Sequence, residues 1–110
     1  MVIPPKRGQI IKLNFNPQKG SEQAAYRPAV ILSRTAYNKK TGMCLACPIT
    51  RSAKGYSTEL ALSNQLITKG VVLTSQIKAL DWRVRPFSFI ETVDDKFLDE
   101  ILDRLIAIIE

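Results

Sequence analysis

The segment KGSEQAAYRP, residues 19–28, sets a lysine, a serine, a glutamate, a glutamine, a tyrosine and an arginine ahead of a proline. Glu22 and Arg27 are the pair in it that could act on a phosphodiester. Cleaving RNA through its own ribose needs a base for the 2′-hydroxyl, positive charge for a five-coordinate phosphate and an acid for the departing 5′-oxygen. Histidine often serves the proton steps because it titrates near neutrality, and this chain has none. Carboxylate, guanidinium and hydroxyl groups remain, with lysine or tyrosine beside them. Arg27 suits the phosphate, since a planar guanidinium holds two oxygens at once. Thr50, which closes the stretch CPIT, offers a hydroxyl and a backbone N–H to the same charge; such donors are worth about 2.7–4 kcal/mol each in other sites. Glu22 is the candidate base, and on an exposed loop it is equally a salt-bridge partner for Lys19 or Arg27. Spacing alone leaves both roles open.

Charge is distributed unevenly behind that loop. The formal net charge is +6, but the chain up to Arg85 holds 14 basic and 3 acidic residues, whereas the remainder holds 2 and 7. A compact basic body should attract a polyanion, and nucleic acid is the default partner; solvated lysines without a ligand are the alternative. At 110 residues the expectation is a single domain, 1–110. No apolar run approaches the ~18 residues of a membrane span, and MVIPPKRGQ places two prolines and a basic pair where a signal peptide would be apolar. The expected setting is the cytoplasm, with no membrane partner.

Cys44 and Cys47 form a C-x-x-C in MCLACPIT. That stretch reads as a buried strand, and residues three apart in a strand point to opposite faces, so the sulfurs should converge neither on a metal nor on each other. A zinc site would lack further ligands. Two small buried hydrophobes are expected, and no metal or other cofactor.

The elements that must hold these residues are mostly strands. In GQIIKLNFN, Ile11, Leu13 and Phe15 alternate with Lys12, Asn14 and Asn16, the period of a sheet with one wet face. NPQKG reads as a turn, and RPAVILS as a central strand buried on both sides, with Pro28 at its first position. RTAYNKKTG suits a helical turn or two closed by Gly42. MCLACPIT and STELALS follow as strands, and GVVLTSQIKALDW as one bent strand or two short ones. In DDKFLDEILDRLIAIIE the apolar residues recur at three and four, an amphipathic helix with Asp94 and Asp95 at its N-terminus. Five or six short strands and a terminal helix predict a mainly β (α+β) fold, a small, strongly curved antiparallel sheet or partly open barrel.

The blocks GQIIKLNFNPQKGSEQAAYRPAVILS, YNKKTGMCLACPIT, KGY and GVVLTSQIKALDWRVR resemble, in order and spacing, the signature of the MazF/PemK family of toxin endoribonucleases. The likeness runs from Gly8 to the terminal helix. It implies an SH3-like, CcdB-like β-barrel that forms a homodimer and cuts single-stranded messenger RNA at short sequences without metal, leaving a 2′,3′-cyclic phosphate and a 5′-hydroxyl. Position by position it implies Glu22, Arg27 and Thr50 as catalytic residues. Lys19, Tyr26, Lys54, Gln76, Lys78 and Arg83 are the expected RNA-binding residues. It also implies a partner, a MazE-like acidic antitoxin that folds over the RNA site.

Some positions depart from the family. Tyr26 stands where relatives often carry histidine or glycine, and it is read either as a stacking platform for a base or as a cover for the loop. Asn14 and Asn16 replace aspartates, which leaves the RNA path less negative. Trp82 is read as a partner anchor or as a core residue. Two other readings stay open on the same barrel: a CcdB-like gyrase inhibitor that binds protein, and a barrel that binds RNA without cutting it.

Overall fold

The computed structural model describes residues 3–15 and 26–110. Strand β1 (Gln9–Asn14) pairs antiparallel with β2 (Tyr26–Ile31), which pairs antiparallel with β3 (Met43–Thr50). A short helix, α1 (Thr35–Thr41), joins the last two. Strands β4 (Glu59–Ala61) and β5 (Val71–Leu73) form a hairpin, followed by a 3₁₀ turn (Thr74–Gln76) and β6 (Lys78–Asp81). Strand β7 (Phe87–Thr92) and helix α2 (Asp95–Ile109) complete the order.

Strand β3 changes partners along its length. Its first half, Met43 to Ala46, pairs with β6, and its end, Ile49 and Thr50, pairs with β5. The main path runs β4-β5-β3-β2-β1-β7, with β6 beside it on β3. The curvature predicted for the sheet is therefore present as a sheet that splits at β3, mainly antiparallel β with two helices.

Two clusters of apolar residues flank β1–β3. One sets Ile10, Val30, Cys47 and Ile49 against Leu98, Ile101 and Leu105 of α2; the other gathers Ile11, Leu13, Ala29, Ile31, Cys44 and Leu80. Strand alternation explains the division, because successive side chains of β1 and β2 leave on opposite faces. The uniform apolarity of RPAVILS has the same cause, with Ala29, Val30 and Ile31 fully buried. Helix α2 shows its expected cap, the Asp94 side chain accepting from the Phe97 N–H at 2.8 Å.

Buried Asn38 joins three parts of the chain. Its side-chain amide donates to the Pro5 carbonyl at 2.8 Å and its oxygen accepts from the Ser33 hydroxyl. Its backbone carbonyl accepts from the indole N–H of Trp82 at 2.8 Å and from the Gly42 N–H. Gly42, at φ 75°, closes α1 in the left-handed region where glycine carries no steric penalty. Trp82 is thus a core residue, 6% exposed, and not an exposed anchor.

Three expectations change in detail. Pro28 is third in β2, just before the β2–β3 pairing begins at Ala29, and not first. STELALS contributes only Glu59–Ala61 as strand, whereas GVVLTSQIKALDW keeps to one of its two expected forms, two short strands parted by the 3₁₀ turn. Strand β7 was not anticipated and brings the sheet to seven strands.

Candidate functional site

Arg27 and Thr50 lie near the ends of the paired strands β2 and β3. The β2–β3 register matches Ala29 with Pro48, Val30 with Cys47 and Ile31 with Ala46. That ladder ends two residues short of Arg27 and Thr50, which pair instead with Leu13 of β1 and Val71 of β5. Arg27 and Thr50 both line one cavity of about 540 Å³. The Thr50 hydroxyl oxygen accepts from the Ser52 N–H at 3.1 Å, which turns the chain away from β3 and sends Arg51 along the rim.

A second contribution comes from β1. Lys12 stands opposite Pro28 and two pairs away from Asn14–Tyr26, so Lys12 and Tyr26 are diagonal neighbours on one face. Lys12 Nζ lies 5.8 Å from the centre of the Tyr26 ring, a cation–π contact worth ~0.5–1 kcal/mol at an exposed site. Tyr26 remains 40% exposed, leaving ring surface free to meet a ligand.

The opposite wall is Ile67, Thr68 and Lys69, from the connection between β4 and β5, with Ile90 of β7. Glu91, next to Ile90, holds this wall. Its carboxylate accepts from the Ile67 N–H at 3.0 Å, the Thr68 N–H at 2.7 Å and the Thr68 hydroxyl at 2.7 Å. Burial would raise its carboxyl pKa, but those hydrogen bonds, with the charge of Lys69, outweigh burial and hold it below the usual value. Lys69 Nζ in turn donates to the carbonyls of Asn64 and Leu66.

Four basic residues border the cavity, Lys12, Arg27, Arg51 and Lys69, and no acidic one does. A concave surface of that composition focuses positive potential on its interior and suits an anion. Among the described residues, no group of three or more His, Cys, Asp or Glu side chains is placed to hold a metal ion. No helix is long and apolar enough to cross a membrane among them either.

The remaining expected residues lie elsewhere. Lys19, Glu22 and Asn16 fall outside the described residues. Lys54 is exposed in the connection before β4, its N–H donating to the Glu59 carboxylate at 3.0 Å. Gln76 ends the 3₁₀ turn, Lys78 sits over the Phe15 ring at 5.9 Å and Arg83 lies 3.7 Å from Asp81. None of these four lines the cavity. Lys12, Arg51 and Lys69 were not singled out from sequence; Lys12 had a visible signal in its alternation with Ile11 and Leu13, whereas Lys69 stands in an aperiodic connection.

Both cysteines are free and buried, in different apolar clusters. Burial pushes the Cys44 thiol up to about 11, partly offset by Arg85, and the Cys47 thiol up to about 12. Neither is poised as a nucleophile.

Residues 6–109 match the family model described as "PemK-like, MazF-like toxin of type II toxin-antitoxin system". The chain is 52% identical over 81 residues to the endoribonuclease toxin MazF of Escherichia coli (strain K12), covering 74% of this chain and 72% of that protein. Among solved structures it is similar to the crystal structure of MazF from Deinococcus radiodurans, with TM-score 0.86 and 40% identity over 96% of each chain. A MazE–MazF crystal structure from the same organism superposes with TM-score 0.83 at 36% identity, covering 96% of this chain and 95% of that one.

Proposed function

The chain belongs to the PemK-like, MazF-like family of toxins of type II toxin–antitoxin systems, and from that premise we propose that it is a sequence-specific endoribonuclease acting on single-stranded messenger RNA without a metal ion. The observation that carries the reading is the convergence of Arg27, Thr50 and three further cations on one cavity without an acidic side chain. A bound phosphodiester would find charge there on more than one side, and the charge that builds on phosphorus during reaction would be met by the guanidinium and the threonine donors.

In this scheme Glu22 takes the proton of the ribose 2′-hydroxyl. The 2′-oxygen then bonds to phosphorus, the bond from phosphorus to the 5′-oxygen breaks, and that oxygen takes its proton from water. The products are a 2′,3′-cyclic phosphate and a 5′-hydroxyl. Arg27 holds the phosphate oxygens in a two-pronged contact that lysine could not reproduce. Tyr26 offers its exposed ring to a neighbouring base, an interaction worth ~1–3 kcal/mol in other single-strand binders.

The protein partner is a MazE-like antitoxin with an acidic tail that covers the cationic cavity, and the toxin acts as a homodimer in the cytoplasm. Resemblance to MazE–MazF complexes supports this, as does the charge of the cavity.

The test is direct. A long single-stranded RNA incubated with the protein in EDTA should give discrete fragments with cyclic phosphate ends, and Arg27→Ala should give none. Intact RNA with the wild-type protein would remove the enzyme reading. Cutting that required Mg²⁺ would keep the nuclease but discard this acid–base scheme.

A further inference from the structure

Glu91 has no part in the chemistry above and does not line the cavity, yet it holds a cavity wall from behind. Its position follows from an irregularity in β7. The β1–β7 register pairs Ile10 with Glu91 and Ile11 with Phe89, leaving Ile90 as the extra residue of a bulge. Bulges re-aim side chains and gather near functional sites. Here the bulge sends Ile90 to the cavity while Glu91 reaches the connection between β4 and β5.

That connection has no regular structure of its own from Leu62 to Gly70, so its path depends on what grips it. Glu91 satisfies two successive backbone N–H groups and a hydroxyl at its middle. At its far end, Gly70 lies against the Thr50 backbone. The segment carrying Thr68 and Lys69 is thereby tied to the strand that ends in Thr50.

We propose that Glu91 is a positioning residue for RNA binding, clamping Ile67 and Thr68 so that the wall bearing Lys69 stands at a fixed distance from Arg27 and Thr50. The inference rests on the reading of the cavity as the RNA site. It makes a prediction opposite in sign to simple electrostatics. Removing a carboxylate beside a cationic cavity should tighten RNA binding if charge were all that mattered; removing the clamp weakens it. Glutamine cannot replace the carboxylate, because its NH₂ group would face donors that need an acceptor.

The experiment compares the wild-type protein with Glu91→Gln, Thr68→Val and the double variant on a single-stranded RNA, alongside amide hydrogen exchange without RNA. Expected for each single variant is a KM raised roughly 10-fold with kcat within about two-fold of wild type, and faster exchange at Ile67 and Thr68. The double variant should be no worse than the more affected single one, since both changes open the same clamp. Unchanged or tighter RNA binding in folded Glu91→Gln would overturn the proposal, as would additive losses or equal losses in kcat and thermal stability. If Glu91→Gln does not fold, Thr68→Val, which keeps the charge, decides the matter by the same KM and exchange readings. Failure of the wild-type protein to cut any RNA would sink the functional reading, while exchange at Ile67 and Thr68 would still show whether the clamp exists.

Discussion

Gly70 stands against the carbonyl of Thr50: a Cβ at position 70 would lie 2.2 Å from that oxygen, and its φ of 121° is one that other residues rarely adopt. The end of β3 can therefore keep its place only while position 70 carries no side chain. Gly70→Ala should lower stability by more than about 1 kcal/mol and reduce RNA cleavage at least tenfold, read by denaturant unfolding and by fragment yield. Cleavage at the wild-type rate from a Gly70→Ala protein would show that the placement of Thr50 is immaterial.

The cations of the cavity predict how binding responds to salt. With an RNA made uncleavable by a 2′-deoxy substitution, affinity should fall linearly on a log–log plot, with a slope near −0.7 for each phosphate neutralised. Lys12→Gln should make that slope shallower by about 0.7, since Lys12 is one of four basic residues that line the cavity. An unaltered slope would place Lys12 outside the path of the phosphates.

Asn38 offers a test of the scaffold alone. Its side chain is fully buried and bonded to Pro5 and Ser33, and it cannot be shortened without stranding polar groups that water does not reach. Asn38→Ala should cost about 1–3 kcal/mol in unfolding free energy. A change within 0.5 kcal/mol, roughly the noise of surface substitutions, would mean that the network is not a structural brace.

The cysteines predict an alkaline limit. Their thiols are pushed up to about 11 and about 12 by burial, from 9.0, so the folded protein holds protons that the unfolded chain has released. Their contribution to stability is complete below pH 9 and is lost as pH rises through 11 to 12. Cys44→Ala with Cys47→Ala should flatten the decline in stability above pH 9, measured by thermal melts across that range. At pH 8 an alkylating reagent should modify neither thiol until the protein unfolds.

What was legible in the sequence follows from which forces act locally. β1 and α2 announced themselves because one face of each is buried, which writes a period of two or of about 3.6 into the residues, and β2 and β3 because burial on both faces leaves a short apolar run. β7 wrote no such pattern. Its residues Phe87 to Thr92 are all half-buried or exposed, and Phe89 is 56% exposed, so no side of it had to be uniformly apolar. The cavity divides in the same way. Arg27 and Thr50 could be picked out by resemblance and by the chemistry of their side chains, and both border the cavity. Lys69 and Glu91 could not, because what unites them is a bulge in β7 and hydrogen bonds to backbone groups, which any residue type could have supplied. Lys78 and Arg83 were named from the resemblance of the block SQIKALDWR, and they lie outside this cavity.

The cavity takes one part of its wall from Lys12, near the start of the chain, and another from Ile90, near the end. A polypeptide still being made on the ribosome holds the first without the second. No growing fragment short of β7 can complete the cavity.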